Sequence, residues 1–144
     1  MGENGGFNND VNELIKEQKA ILKACGIDYK NGNNRYLIIS STSGSYESRT
    51  TIRNALKAEW GDHYINMGDV LNSFEAHKFV GYTEEDIAPY AEDIALGKVT
   101  PLLLADNCHP NAVGYTVIAN TIFERLFDLG LFDELFDYYD SLNA

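Results

Sequence analysis

Tyr36-Leu37-Ile38-Ile39-Ser40 is a short apolar, β-rich run, closed in front by Asn33-Asn34 and behind by Ser41-Thr42-Ser43-Gly44-Ser45. Such a run, apolar throughout and framed by turn residues, predicts a strand buried on both faces, as in a parallel sheet. Parallel strands need a crossover, and the next residues supply one. A helix starting near Ser45 would turn Ile52, Ala55, Leu56 and Trp60 inward and stop at Gly61, and Tyr64-Ile65-Asn66-Met67 follows as a second strand. Strand, helix, strand implies a doubly wound α/β sheet with right-handed crossovers, whose ligands bind outside the carboxyl ends of the strands.

Upstream, residues 10–25 place Val11, Leu14, Ile15, Ile21, Leu22 and Cys25 at helical spacing, with Asp10 and Glu13 in capping-box relation and Gly26 as the stop. Downstream, residues 70–100 break the alternation. Short helices are expected after Thr83 and from Tyr90 to Leu96, punctuated by Pro89 and Pro101, in an excursion that suits either a functional loop such as a lid or a plain surface insertion. Beyond Pro110, Val113, Val117, Ile118, Ile122 and Leu126 keep helical register as far as Gly130. The tail, residues 128–144, reads as an amphipathic helix: Leu131, Phe132, Leu135, Phe136, Tyr139 and Leu142 oppose Asp133, Glu134, Asp137 and Asp140. Its stripe fits docking on its own domain, with a partner surface as the alternative.

The chain has 144 residues, 44% of them hydrophobic, enough for one domain core and too few for two. With 22 Asp+Glu against 11 Lys+Arg the formal charge is −11, which repels phosphate backbones and makes nucleic acid an unfavourable partner. The longest apolar runs, such as Leu102 to Ala105, fall far short of the ~20 residues of a membrane span. Met1-Gly2-Glu3-Asn4-Gly5-Gly6 carries neither the basic head nor the apolar stretch of a secretory signal, and the compartment stays open. Cys25 and Cys108 are too few for a disulfide scaffold and lack zinc-site spacing, so both are expected to be packed thiols and no metal site is expected.

The stretch richest in chemistry is Asp106-Asn107-Cys108-His109-Pro110-Asn111-Ala112-Val113-Gly114-Tyr115. Pro110 disfavours helical dihedrals at His109 and suits the first helical position itself, which sets the imidazole at the mouth of the next helix. There the helix dipole favours the neutral ring, and Asp106, three residues back, can fix its tautomer. The same letters also fit a plain capped helix start with an incidental His–Asp hydrogen bond. His63 and His77 have no companions at ligand spacing and read as surface or loop residues.

Asp-x-x-His-Pro-Asn-x-x-Gly-Tyr running into an apolar helix resembles the last sequence block of the SGNH hydrolases, the GDSL-type esterases and lipases. The resemblance places Asp106 and His109 in a Ser-His-Asp triad. Gly2-Glu3-Asn4-Gly5 is similar to the family's Gly-x-Asn-Asp block, which makes Asn4 an oxyanion-hole donor and Gly2 a residue lining the substrate; Gly5 departs from the usual Asp. Resemblance runs from about Gly2 to Leu126 and implies a flavodoxin-like three-layer α/β/α fold with a parallel sheet. It also implies hydrolysis of carboxylic esters, acyl or acetyl groups on carbohydrate or lipid, without metal or organic cofactor.

The family's nucleophile sits in a Gly-Asp-Ser block upstream of Gly-x-Asn, and the resemblance therefore implies that the first strands and the serine lie outside these residues. Gly68-Asp69-Val70-Leu71 imitates the letters but has no hydroxyl at Val70. Ser43 and Ser45, at a strand's carboxyl end, are expected to line the site at most, their ordinary duties being turn formation and capping. Cys108 is expected to point away from its neighbour His109. A sheet of two or three strands would leave an edge and an apolar face open, to be covered by a second copy or a complementing chain. The alternative is a catalytically silent SGNH-derived binding or assembly module.

Overall fold

The computed structural model describes residues 10–32, 35–40 and 46–142. Helix α1 (Val11–Ala24) is followed by strand β1 (Ile38–Ile39), helix α2 (Tyr46–Trp60) and strand β2 (Tyr64–Ile65). The two strands pair in parallel, Ile38 against Tyr64 and Ile39 against Ile65, so the expected strand, helix, strand unit is present at the centre of a largely helical chain. Successive residues of a strand point to opposite faces, and β2 uses this to serve two cores. Tyr64 joins Leu14, Ile15, Leu22, Leu56 and Trp60 from α1 and α2. Ile65 joins Met67, Leu71, Ala76, Leu103 and Val117 on the other side.

Both strands are shorter than the sequence suggests, and β1 is not buried on both faces: Ile39 is 43% exposed. Among the described residues only these two strands pair. Strand β2 stops because the Asn66 side chain accepts from the Asp69 amide and starts helix α3 (Met67–Asn72), which turns Met67 from an expected strand residue into a helical one.

The excursion at residues 70–100 is a run of short helices that contributes to the core, and it includes the two expected after Thr83 and from Tyr90 to Leu96. After α3 come α4 (Phe74–Phe79), α5 (Glu84–Ile87) and α6 (Ala91–Ala95), each short. They bury Leu71, Ile87, Leu103, His77 and Thr100 completely. Ser73 caps α4 through the Ala76 amide, and Thr83 with Asp86 forms a reciprocal capping box on α5. His77, expected at the surface, is locked inside: its ring nitrogens meet the Ser73 carbonyl at 2.8 Å and the Thr100 hydroxyl at 2.7 Å. His63 is half-buried and stacks on Tyr36, with ring centroids 4.1 Å apart.

Helix α1 keeps Leu14, Ile15 and Leu22 inside but leaves Ile21 and Cys25 exposed, because its contact stripe faces α2. Its Asp10 cap accepts from the Asn12 amide at 2.9 Å rather than from Glu13. Helix α7 (Ala112–Asp128) buries Gly114 and Val117, and α8 (Asp133–Leu142) buries none of its residues. The apolar stripe of α8 touches α7 at Phe136 and Phe127, 6.0 Å between centroids, while Leu135, Tyr139 and Leu142 stay exposed. Among the described residues no helix is long and apolar enough to cross a membrane.

Candidate active site

The loop that carries Asp106 and His109 is closed by its own backbone. Ala105 N donates to the His109 carbonyl at 2.8 Å and Asn111 N to the Leu103 carbonyl at 3.0 Å, forming an antiparallel bridge between Leu104 and Pro110. Asn111 then serves both sides of the joint. Its Oδ1 accepts from Gly114 N at 2.9 Å, capping α7, and its Nδ2 donates to the Leu102 and Leu104 carbonyls at 2.9 and 3.3 Å. Gly114 completes the seat, because a Cβ there would stand 2.3 Å from the Leu103 carbonyl oxygen. Each of these letters thus has a mechanical reason, and together they fix the start of α7 on the 102–105 segment.

Inside this frame Asp106 folds back on the chain. Its Oδ1 accepts from the amides of Cys108 and His109, both at 2.8 Å, an Asx-type turn that leaves Oδ2 for the His109 ring. The Oδ2 to Nδ1 distance is 2.8 Å. The Cys108 amide, then the His109 amide and ring, hold the Asp106 carboxyl far below the usual carboxylate range. An ionised carboxylate only accepts, which assigns the hydrogen to Nδ1 and the basic lone pair to Nε2. Side chains of His109 and Asp106 are 73% and 57% exposed, so Nε2 is open to solvent and to a reactant. The expected His–Asp pair is therefore formed.

Two details differ from expectation. Pro110 is not the first helical residue: the Asn111 side chain takes the cap, α7 begins at Ala112, and His109 sits two positions further from the helix end, where the dipole acts more weakly. Cys108 is neither packed nor turned away. The Asx turn curls the chain so that its exposed Sγ lies 3.3 Å from His109 Nδ1 and 3.9 Å from Nε2. Adjacent positions alone gave no sign of this; the Asp-x-Cys-His spacing, which permits Asp106 to accept from both following amides, is the signal that could have.

Gly2, Asn4, Ser43 and Ser45 lie outside the described residues. Ser40 is held in a structural role, its hydroxyl accepting from Met67 N at 3.1 Å and donating to Asn66 Oδ1 at 3.3 Å, which joins the end of β1 to the start of α3. The Gly68-Asp69-Val70-Leu71 imitation belongs to α3, where Leu71 is core and Asp69 pairs with Arg53 at 2.7 Å. No family model matches the chain, and neither a curated protein nor a solved structure matches it. What the site offers on its own geometry is an oriented imidazole with one ring nitrogen fixed by a carboxylate and the other available for proton transfer.

Proposed function

We propose that this chain carries the acid–base portion of an SGNH-type serine hydrolase acting on carboxylic esters, acyl or acetyl groups on carbohydrate or lipid. The observation that supports this best is the 2.8 Å contact from Asp106 Oδ2 to His109 Nδ1, with Nε2 left open. In this reading His109 Nε2 takes the proton of the nucleophilic hydroxyl as it attacks the ester carbonyl and returns it to the departing alkoxide. Asp106 holds the ring's tautomer and steadies the imidazolium that forms in between. Asn4 donates its amide to the oxyanion, an interaction worth roughly 3 kcal/mol where tested. Gly2, Ser43 and Ser45 would line the substrate. The nucleophilic serine comes from outside these 144 residues. No metal or organic cofactor takes part. The parallel pair, with helices on both faces, is then the core of a flavodoxin-like three-layer sheet, completed in cis or by a second copy or complementing chain.

The test is hydrolysis of p-nitrophenyl acetate by the chain with a Gly-Asp-Ser block supplied as an N-terminal fusion, alongside fluorophosphonate labelling of the chain alone. His109→Ala is expected to lower turnover by about 10²–10⁴-fold. Unchanged turnover overturns the assignment. Labelling of the chain alone at a serine within 40–45 would move the nucleophile into these residues.

A silent binding or assembly module is the second reading, and the exposed stripe of α8 favours it. It requires no turnover from any preparation and a stoichiometric complex by light scattering.

A further inference from the structure

The loop that orients His109 also brings together three different metal-ligating side chains within four positions of sequence. An Asp106 carboxylate oxygen, Cys108 Sγ and a His109 ring nitrogen all lie within 4.8 Å of one another, and all three residues are exposed. The contacts are 2.8 Å from Oδ2 to Nδ1 and 3.3 Å from Sγ to Nδ1. Tetrahedral zinc with bonds of roughly 2.3 Å to sulfur and 2.0–2.1 Å to nitrogen or oxygen holds its sulfur and nitrogen ligands about 3.6 Å apart, and nitrogen and oxygen about 3.3 Å apart. The two contacts to Nδ1 would therefore need to lengthen by only about half an ångström or less to accept such an ion, with the sulfur and the carboxylate already within 4.8 Å of each other. Asp106 is prepared for this, because its Oδ1 is committed to two backbone amides and only Oδ2 is turned toward the ring.

We infer that Asp106, Cys108 and His109 form a site for a thiophilic divalent cation of the zinc type, and that occupancy switches off the histidine. Thiolate and imidazole select zinc over magnesium or calcium, and solvent exposure lets water supply the fourth position. The ion would take the place now held by the Nδ1 hydrogen. A neutral imidazole keeps one proton, so that hydrogen moves to Nε2, while the Cys108 thiol releases its own to solvent. With Nε2 protonated, the ring has no lone pair to act as a base. The cation is thus an inhibitor of the site and not a cofactor. Its effect on catalysis rests on the hydrolase reading, whereas binding itself does not.

The experiment titrates the whole chain, reduced, with Co²⁺ and follows the thiolate-to-metal charge-transfer absorption, with Zn²⁺ then added as competitor. One equivalent is expected to bind, Zn²⁺ is expected to displace it, and the band should survive Cys25→Ser and vanish in Cys108→Ser. Removing a weaker contributor, in Asp106→Asn, should raise the dissociation constant at least about tenfold, since loss of an outer partner alone costs about 10–100-fold. Absence of the band in the unaltered chain, its persistence in Cys108→Ser, or its loss in Cys25→Ser would overturn the site. Because the readout is spectroscopic, failure here leaves the hydrolase reading standing, and absence of ester turnover leaves the metal site standing.

Discussion

Gly114→Ala sets two physical effects of opposite sign against each other. Alanine is the better helix former by about 1 kcal/mol, so on propensity alone the substitution near the start of α7 should stabilise the chain. The structure demands the reverse. The new Cβ would meet the Leu103 carbonyl oxygen at 2.3 Å, a backbone atom that cannot rotate away, and Pro110 Cβ at 3.2 Å. Either α7 or the 102–105 segment must then move. Overpacking of this kind costs typically about 1–3 kcal/mol. The Leu103 carbonyl also accepts from Asn111 N at 3.0 Å, and displacing it forfeits a bond worth about 1 kcal/mol. Setting these losses against the propensity gain leaves a net destabilisation of about 1–3 kcal/mol, a fall in melting temperature of roughly 3–10 °C for a domain of this size. Thermal unfolding by circular dichroism, with a urea series at 25 °C, measures it. Backbone amide shifts of Ala105, Cys108 and His109 should move as well, because the same carbonyl anchors their loop. A rise in melting temperature with those shifts unmoved would refute the close approach of α7 to Leu103.

Three further outcomes rest on the same geometry. Asn111→Asp should keep the cap on Gly114 but lose both amide donations to Leu102 and Leu104, costing about 1–2 kcal/mol, while Asn111→Ala loses the cap too and costs more, as urea unfolding would show. His77→Leu leaves the buried Thr100 hydroxyl without its ring partner and should cost about 2–4 kcal/mol; Thr100→Val added to it should cost less than the sum of the two single changes, read as a double-mutant cycle. For Asp106 the folded-state pKa lies below the unfolded one, so its contribution is present above the unfolded value of about 3.9 and is lost as pH falls through the lower folded value. Its side-chain carboxyl ¹³C shift should still report the ionised form at about pH 4, where an ordinary Asp is half protonated. A midpoint at or above about 4 would contradict the Asx turn.

What could be read from the letters depended on how far each interaction reaches along the chain. Helices α1, α2 and α7 are long enough to show several turns of apolar period, and they stand where Leu14, Leu56 and Val117 placed them. Helices α3 to α6 have four to six residues each, too few to display a period; α5 and α6 stand where short helices were expected after Thr83 and from Tyr90 to Leu96, whereas α3 and α4, capped by Asn66 and Ser73, were not read. That is why residues 70–82 showed no helix in the sequence and why His77 was misplaced: its partner Thr100 is 23 positions away, beyond any local pattern. Strand lengths failed for a related reason, since a strand's extent is set by its neighbours, and Asn66 ended β2 by capping the helix behind it.

The site divides along the same line. Asp106 reaches the amides of Cys108 and His109 and the ring of His109, all within three residues, so spacing alone was enough to place the carboxylate on the imidazole. That local turn also carries Cys108 to the ring, a consequence of Asp106 accepting two successive amides that was open to the same reasoning. In the proposed hydrolase a nucleophile would have to arrive at Nε2 from another element, with an oxyanion donor on its far side. No turn sets that distance, so it would be a property of the tertiary fold and not of the motif. The His–Asp pair is therefore the portion of the proposed machinery that local spacing can build, and the metal titration and the fused serine block each test that portion from a different ring nitrogen.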